Sequence, residues 1–174
     1  MTKLKFKKLD ERAVIPSYAH VGDIGLDVTA IDIEYDAKHD MYIYHTGLAC
    51  EMERGYALFC MPRSSNTKTE AYLPNSPGLV DPATYRGEIQ FRYKNRDKQE
   101  MPSFTAPGIL WGTDEEDKWI QEAKNNYIMS KAPYKPGERM GQFVVVQIPE
   151  FEGEETDTLS ETERGANGFG SSGK

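Results

Sequence analysis

The chain has 174 residues with 28 acidic and 21 basic side chains, which gives a formal net charge of −7 at pH 7. Its length suits one domain of ordinary size, or at most two very small ones. The acidic balance argues against a protein that coats DNA or an anionic membrane, because such proteins usually carry a basic excess. The hydrophobic fraction of 38% is sufficient for a core and argues against wholesale disorder.

Targeting signals and cysteine chemistry are also constrained by the sequence. No apolar run approaches the roughly 20 residues of a membrane span. Met1–Phe6 alternates charged with apolar residues and lacks the apolar region of a signal peptide. Cys50 and Cys60 alone cannot form a disulfide framework or a zinc site. A reducing cytoplasm is therefore the simplest expected location, with no membrane partner.

The first half of the chain predicts short strands separated by turns. Ile31–Tyr35 alternates apolar with acidic residues, which is typical of a strand with one buried face. Leu48–Met52 and Tyr56–Met61 flank a Glu-Arg-Gly segment, which favours a hairpin with Gly55 at the turn. Ile89–Tyr93 alternates in the same way as the first segment.

The last strand-like segment has a different character. Gln142–Ile148 is β-branched and nearly continuously apolar, which predicts a strand buried on both faces. Strands at this spacing, with glycine and proline between them, indicate an antiparallel sandwich or barrel. The fold class is therefore predicted to be all-β.

One segment breaks the strand pattern. Thr113–Glu116 places a hydroxyl at a helix N-cap and a glutamate three residues later, which is a capping box. Trp119, Ala123 and Tyr127 then follow at helical spacing, so a helix is predicted over about 114–127. This helix lies in a stretch of about 96–133 bounded by polar and proline-containing sequence, which resembles an insertion into a β domain.

The C-terminal end differs in composition from the domain before it. Residues 152–163 are rich in glutamate, and residues 164–173 are rich in glycine and serine. Composition alone predicts a flexible arm over 152–174 that follows a single β domain over 1–151. The arm could also close over a ligand, since Arg164 suits a phosphate and Phe169 suits a flat ring.

Metal and thiol chemistry find little support in the sequence. His20, His39 and His45 have no ligand spacing with one another or with the cysteines, which occupy apolar positions typical of buried thiols. Two polar clusters, Pro62–Ser65 and Asn75–Asp81, are individually typical of ordinary turns. The first could also aim N–H groups, hydroxyls and a guanidinium at an anion.

The order of five segments is more informative than any one of them. Together they resemble the five motifs of the trimeric deoxyuridine triphosphate nucleotidohydrolases (dUTPases), and the resemblance covers nearly the whole chain except the insert. In chain order, the five segments are Gly25–Ala30, Pro62–Ser65, Gly78–Ile89, Pro136–Gln142 and Arg164–Gly173.

This resemblance implies a dUTPase-like distorted β-barrel or jelly-roll with a short helix-containing insertion and a flexible C-terminal arm. It implies hydrolysis of dUTP to dUMP and pyrophosphate with Mg²⁺ as cofactor. That activity limits uracil incorporation into DNA and supplies dUMP for dTMP synthesis. The resemblance also implies a homotrimer, in which each site takes its second and fourth motifs, its third motif and its arm from three different chains.

The resemblance assigns three residues to catalysis. Asp81, in the third motif, orients and deprotonates the attacking water. Gln142, in the fourth motif, holds that water through its amide, while Asp27, in the first, acts through water near Mg²⁺ or buttresses the site. No residue is expected to bind Mg²⁺ directly, because the triphosphate is the main chelator.

The other residues carried over from the family are expected to bind substrate. The second motif and the arm bind phosphate oxygens, although Arg63 is equally open to a structural role. A hairpin in the third motif reads the uracil, with Tyr85 under the deoxyribose and Phe169 stacked on the base. The residues expected to bind substrate are Arg63, Ser64, Ser65, Asn75, Gly78, Val80, Tyr85, Arg164, Phe169, Gly170, Ser171 and Ser172.

Two features depart from the usual family pattern. Tyr85 follows Asp81 by four residues where three are usual, which predicts a bulge or a wider turn. The insert between the third and fourth motifs is similar to those of some bacteriophage dUTPases, where inserts can take part in protein contacts.

Two other functions stay open at this point. dCTP deaminase shares the fold and several motifs, but it needs a glutamate where this chain has Arg92, so deamination is less favoured. A regulatory protein would use the exposed face of the insert helix to bind a partner such as a repressor. The plainer interpretation is that Trp119, Ala123 and Tyr127 pack the insert onto the domain.

Overall fold

The computed structural model describes residues 3–97 and 100–166, which contain ten strands and one α-helix. The predicted all-β class with one helix-bearing insert is confirmed. The elements are β1 Lys5–Lys8, β2 Leu26–Thr29, β3 Asp32–Asp36, β4 Met41–His45, β5 Leu48–Glu51, β6 Tyr56–Pro62, β7 Ala71–Tyr72, β8 Gly78–Val80, β9 Gln90–Asn95, α1 Asp114–Ser130 and β10 Arg139–Gln147.

Two four-stranded antiparallel sheets enclose the core. One has the strand order β2-β10-β6-β8 and the other β3-β4-β9-β7, while β1 and β5 form a separate pair. Alternate residues of β6 and β10 point inward, and among these Leu58 and Phe143 are fully buried. The Phe143 ring stacks on Phe91 of the opposite sheet with 5.8 Å between ring centroids. Each buried side chain of this size contributes about 1.5–3 kcal/mol.

The predicted hairpin around Gly55 is wrong. β5 pairs with β1, whereas β6 pairs with β10 and β8, so the two strands beside the turn belong to different sheets. Gly55 does make the turn, with φ +86°, but its carbonyl accepts a hydrogen bond of 2.8 Å from the N–H of Ile148. A glycine signals where the chain turns, whereas long-range burial decides which strand it pairs with.

The prediction that the last strand is buried on both faces is wrong for this single chain. Phe143 points into the core, but Val144 and Val146 point to the other face, where Val146 is 37% exposed. β-branched residues favour strands in general, so a run of them does not by itself require that both faces of the strand are buried.

The predicted helix is confirmed and extends three residues beyond the expected end, to Ser130. Its C-terminal half is tied to β4, because the Tyr42 hydroxyl donates to the Ile128 carbonyl at 2.8 Å. Within the insert, the Tyr127 hydroxyl donates to the Glu100 carbonyl at 3.2 Å and its ring meets Phe104 edge-on. These contacts favour the packing interpretation of the insert over partner docking.

The expected capping box does not form at the start of α1. The Thr113 hydroxyl donates to the Leu110 carbonyl at 2.6 Å, while the Glu116 carboxylate accepts from the N–H of Gly112 at 2.9 Å. Glu116 therefore closes the turn that precedes the N-cap. Within residues 3–97 and 100–166, no helix has the length and apolar character needed to cross a membrane.

Candidate functional site

Three polar side chains from the second and fourth motifs meet around one carboxylate of the first motif. Asp27 lies on β2 with its side chain only 7% exposed, and it accepts hydrogen bonds from Arg63 Nε at 3.1 Å and Arg139 Nη1 at 2.8 Å. It also accepts one from Gln142 Nε2 at 3.2 Å. These residues form the Asp27 cluster, which is Asp27, Arg63, Arg139 and Gln142.

Strand pairing brings the Asp27 cluster together. β10 lies between β2 and β6, so Gln142 stands opposite Asp27 on one side and Met61 on the other. Arg63 follows the end of β6. The Gln142 side chain also lies over Gly25, where an added Cβ would stand 3.0 Å from the amide carbon. Glycine at this point of the first motif therefore lets the amide approach Asp27.

The contacts of the Asp27 cluster bear on two roles that the sequence left open. Both carboxylate oxygens of Asp27 accept from guanidinium groups, which favours the buttressing role over a contact through water to Mg²⁺. Arg63 also donates to the Arg139 carbonyl at 3.2 Å, which favours its structural role. The roles of both residues stay predictions.

Asp27→Asn is expected to destabilise the protein by about 1–3 kcal/mol, because it leaves two guanidinium groups facing a neutral amide. Urea unfolding at one fixed protein concentration measures the change. Arg139→Gln is the matched control: Arg139 is half-exposed, so its loss should cost less. Equal unfolding midpoints for wild type and Asp27→Asn would contradict this account of the cluster.

The second motif leads into a short 3₁₀ helix, Ser64–Lys68, in which Ser64 is exposed. Ser65 Oγ is buried and has no hydrogen-bond partner among the residues that the structure describes. Asn66 fixes the turn, since its amide donates to the Ala71 carbonyl at 2.9 Å and accepts from the Tyr134 hydroxyl at 3.0 Å. Tyr134, which follows the insert, therefore contacts the short helix that carries both serines.

The residues expected from the third motif line a single cavity of about 300 Å³, here called the third-motif cavity. Arg92 also lines it and donates to Gln90 Oε1 at 3.0 Å, so a guanidinium occupies the position where a deaminase needs a carboxylate. The predicted residues brought together in its wall are Asn75, Gly78, Val80, Asp81 and Tyr85.

The extra residue between Asp81 and Tyr85 produces the wider turn that the sequence predicts. The Asp81 carbonyl accepts from the N–H groups of both Thr84, at 3.1 Å, and Tyr85, at 2.9 Å. Arg86 supports the turn from within by donating to the carbonyls of Pro82 and Ala83. Tyr85 still reaches the third-motif cavity and is 47% exposed.

The Asp27 cluster and the third-motif cavity lie apart within one chain. Val80 pairs with Leu58, and Leu58 pairs with Val145, so Asp81 is level with Val146 on β10. Four residues along β10 and two strand spacings across the sheet separate Asp81 from Gln142 by roughly 17 Å. Two side chains this far apart cannot hold the same water molecule.

Comparison with known proteins identifies the family. No protein-family model matches the chain. The deoxyuridine 5'-triphosphate nucleotidohydrolase of Trichodesmium erythraeum is 35% identical over 98% of this chain and 99% of the relative. That of a Picosynechococcus species is 33% identical over 98% of each chain. The chain belongs to the dUTPase family. Its members are hydrolases, and the match spans the insert as well as the five motifs.

Solved phage dUTPases share the fold. Staphylococcus bacteriophage 80alpha dUTPase with dUpNHpp has a TM-score of 0.70 and 23% identity, and the match covers 99% of each chain. The dUTPase of phage phi11 of S. aureus, described as having a species-specific insert, has a TM-score of 0.63 and 19% identity, covering 92% of this chain and 99% of that one. The expected dUTPase-like fold with an inserted segment is therefore confirmed.

Mg²⁺ prefers oxygen ligands such as carboxylates. Residues 3–97 and 100–166 contain no group of three or more histidine, cysteine or acidic side chains placed to hold a metal ion. Asp27 already accepts from two guanidinium groups. The Asp27 carboxylate is thus engaged by two cationic side chains. Cys50 and Cys60 are buried free thiols, and burial raises the pKa of Cys60 to about 12.

The structure describes only part of the C-terminal arm. Residues 152–166 are exposed and contain neither helix nor strand, and Arg164 lies in a turn near their end. The other fifth-motif residues expected to bind substrate lie outside the described residues: Phe169, Gly170, Ser171 and Ser172.

Three residues with evident structural importance were missed by sequence reasoning. Arg139 belongs to the fourth motif but was given no role, although an arginine three residues before Gln142 was a usable signal. The Tyr134 hydroxyl donates to Asn66 beside the second motif, and Glu88 lines the third-motif cavity. Tyr134 lies outside the five motifs. Glu88 lies in the third motif, but its partners His45 and Gly47 are distant in the chain, so its sequence neighbours did not indicate its role.

Proposed function

We propose that this member of the dUTPase family hydrolyses dUTP to dUMP and pyrophosphate, and that it does so in the cytoplasm. The observation that carries the proposal is the third-motif cavity, in which Asp81, Tyr85 and Asn75 share one wall as a base and sugar site requires. In this role the protein would limit uracil incorporation into DNA and supply dUMP for dTMP synthesis.

The proposed chemistry is direct attack of water on the α-phosphorus. Asp81 accepts a proton from the water as its oxygen bonds to phosphorus, and the bond from phosphorus to the bridging oxygen breaks to release pyrophosphate. Gln142 donates its amide N–H to Asp27, which leaves Gln142 Oε1 free to accept from the same water. Fixing the water in line supplies several kcal/mol of the barrier.

The phosphates need groups that compensate their charge. Ser64 and the N–H groups around Ser65 suit inner phosphate oxygens, and Arg164 suits the outer ones. The exposed position of Ser64 at the start of the short 3₁₀ helix supports this role. When bound with the triphosphate, Mg²⁺ supplies further charge neutralisation at the phosphate oxygens.

A homotrimer would complete the site. Leu79, Phe59 and Val144 pair in one row across the outer face of the β2-β10-β6-β8 sheet, and Leu79 is 59% exposed. Covering this row is favourable at about 25 cal/mol per Å² of apolar area. Asp81 lies on one side of the row and Gln142 on the other, so a copy related by rotation could bring them together.

The substrate is tested by measuring pyrophosphate release from dUTP, dCTP, dTTP and UTP with Mg²⁺ present. We expect release from dUTP in strong preference to the others, and a large loss of rate after EDTA treatment that added Mg²⁺ restores. Ammonia release from dCTP would instead indicate deamination, which Arg92 in the cavity wall argues against. Absence of pyrophosphate release from dUTP would reject the proposal.

A further inference from the structure

Glu88 lines the third-motif cavity, and its side chain ties the segment before β9 to the end of β4 and the turn that follows it. The Glu88 side chain is 23% exposed and faces three donors: the N–H of Gly47 at 2.8 Å, His45 Nδ1 at 2.8 Å and Gln90 Nε2 at 3.1 Å. These groups come from the end of β4, the turn after it and the start of β9. Glu88 therefore joins two distant segments of the chain at the cavity.

The main chain at Glu88 also holds Tyr85. The Tyr85 hydroxyl donates to the Glu88 carbonyl at 3.0 Å. The ring lies so close to Gly87 that an added Cβ there would overlap the hydroxyl and the ring, so only glycine allows this approach. The position of the Tyr85 ring thus depends on where the segment 87–88 is fixed.

That segment is fixed to a rigid corner. The Thr46 hydroxyl donates to the Ile89 carbonyl at 2.6 Å, and the N–H of Ile89 donates to the Leu48 carbonyl at 2.8 Å. Gly47 has φ +63°, and its amide points at Glu88. The Glu88 carboxylate and the Ile89 backbone therefore anchor the tyrosine turn to the corner between β4 and β5.

The groups around Glu88 keep its carboxylate ionised, so that it accepts hydrogen bonds. Burial alone would raise the pKa of Glu88, but hydrogen bonds from His45, Gly47 and Gln90 outweigh it and lower the pKa below its ordinary value. Glu88 is thus ionised at neutral pH and can accept from all three donors. On the far side of His45, Glu34 stands 3.7 Å from Nε2, and Arg92 donates to Gln90.

We propose that Glu88 is a positioning residue that fixes the depth of the Tyr85 ring in the third-motif cavity and thereby sets the preference for deoxyribose over ribose. This inference rests on the proposed hydrolysis of dUTP. Rejection of one additional hydroxyl requires a wall that does not yield, because a flexible wall admits the larger sugar. Tyr85 is half-exposed on a widened turn, so its rigidity comes from the anchor at Glu88.

Glu88→Gln tests the proposal, since it keeps the side-chain size but replaces one acceptor oxygen with an N–H donor facing other donors. The ratio of kcat/KM for dUTP to that for UTP is expected to fall about tenfold. The KM for dUTP should rise while kcat at saturating dUTP stays close to wild type, because Asp81 and Gln142 are unaffected.

Glu34→Gln is the matched control. Replacing Glu34 makes the same chemical change next to the same histidine. The Glu34 side chain is 65% exposed and lies 3.7 Å from His45, so the ratio of kcat/KM for dUTP to that for UTP should not change. An unchanged ratio in a folded Glu88→Gln variant, or an equal fall in Glu34→Gln, would overturn the proposal.

A second variant covers the case in which Glu88→Gln fails to fold. Tyr85→Phe removes only the hydroxyl that bonds the Glu88 carbonyl, and the ratio should fall in the same direction. An unchanged ratio in Tyr85→Phe would also count against the anchor. If wild type releases no pyrophosphate from dUTP, the proposed function fails, but calorimetric affinities for dUMP and UMP in wild type and Glu88→Gln still decide this inference.

Discussion

Asp81→Asn is expected to lower kcat for dUTP hydrolysis by about 10²- to 10⁴-fold, which is the range that a positioned general base contributes. Asparagine keeps the size and polarity of the side chain but cannot accept a proton from the attacking water. Asp81 is exposed at the rim of the third-motif cavity, so the substitution should leave the fold and the KM for dUTP nearly unchanged. Steady-state pyrophosphate release measures the effect.

Asp117→Asn is the control for this variant. Asp117 is an exposed aspartate in the first turn of α1, so the same chemical change there should leave kcat unaltered. Near wild-type kcat in Asp81→Asn would reject the role of Asp81 as the base. A loss of kcat in both variants would point to an effect of charge in place of proton transfer.

The strands and the helix were accessible to sequence reasoning because their side-chain periodicity is local. Ile31–Tyr35 and Ile89–Tyr93 alternate in the sequence, and β3 and β9 cover nearly the same residues. The hairpin at Gly55 failed because a turn residue carries no information on which distant strand will pair with β5 or β6. Pairing follows from burial across the whole domain.

The candidate site was also predictable only in part from the sequence. The motifs identified Asp27, Gln142 and Asp81 as site residues, but their order along the chain could not reveal which of them are neighbours in one chain. Strand register shows Asp27 beside Gln142 and Asp81 remote from both. Glu88 was missed for a related reason: two of its three partners, His45 and Gly47, become neighbours only after β4 and β9 pair.

The outer face of β10 carries apolar side chains between Gln142 and the level of Asp81. Val144 and Val146 are apolar residue types that are usually buried, and Leu79 lies on the same side of the sheet, separated from Val144 by Phe59 of β6. One chain leaves this face partly uncovered and its proposed catalytic residues apart. Assembly of identical chains through this face would account for both features at once, so the two can be tested together.

Mixing two inactive variants is expected to restore activity. In a trimer, each site would combine Asp81 of one chain with Gln142 of a neighbour. Asp81→Asn and Gln142→Ala chains, unfolded together in equal amounts and refolded, should therefore give about a quarter of all sites with both wild-type residues. Neither variant alone can form such a site. Pyrophosphate release from dUTP by the mixed sample, compared with refolded wild type, measures the recovery.

Each variant refolded alone is the control, and a mixture made without unfolding should stay inactive if chains exchange slowly. Light scattering on the same samples should give three times the 19.7 kDa mass of the chain. No recovery in a correctly sized mixed trimer would mean that Asp81 and Gln142 do not act in one shared site, because random assembly must place the two intact residues side by side in some fraction of the interfaces.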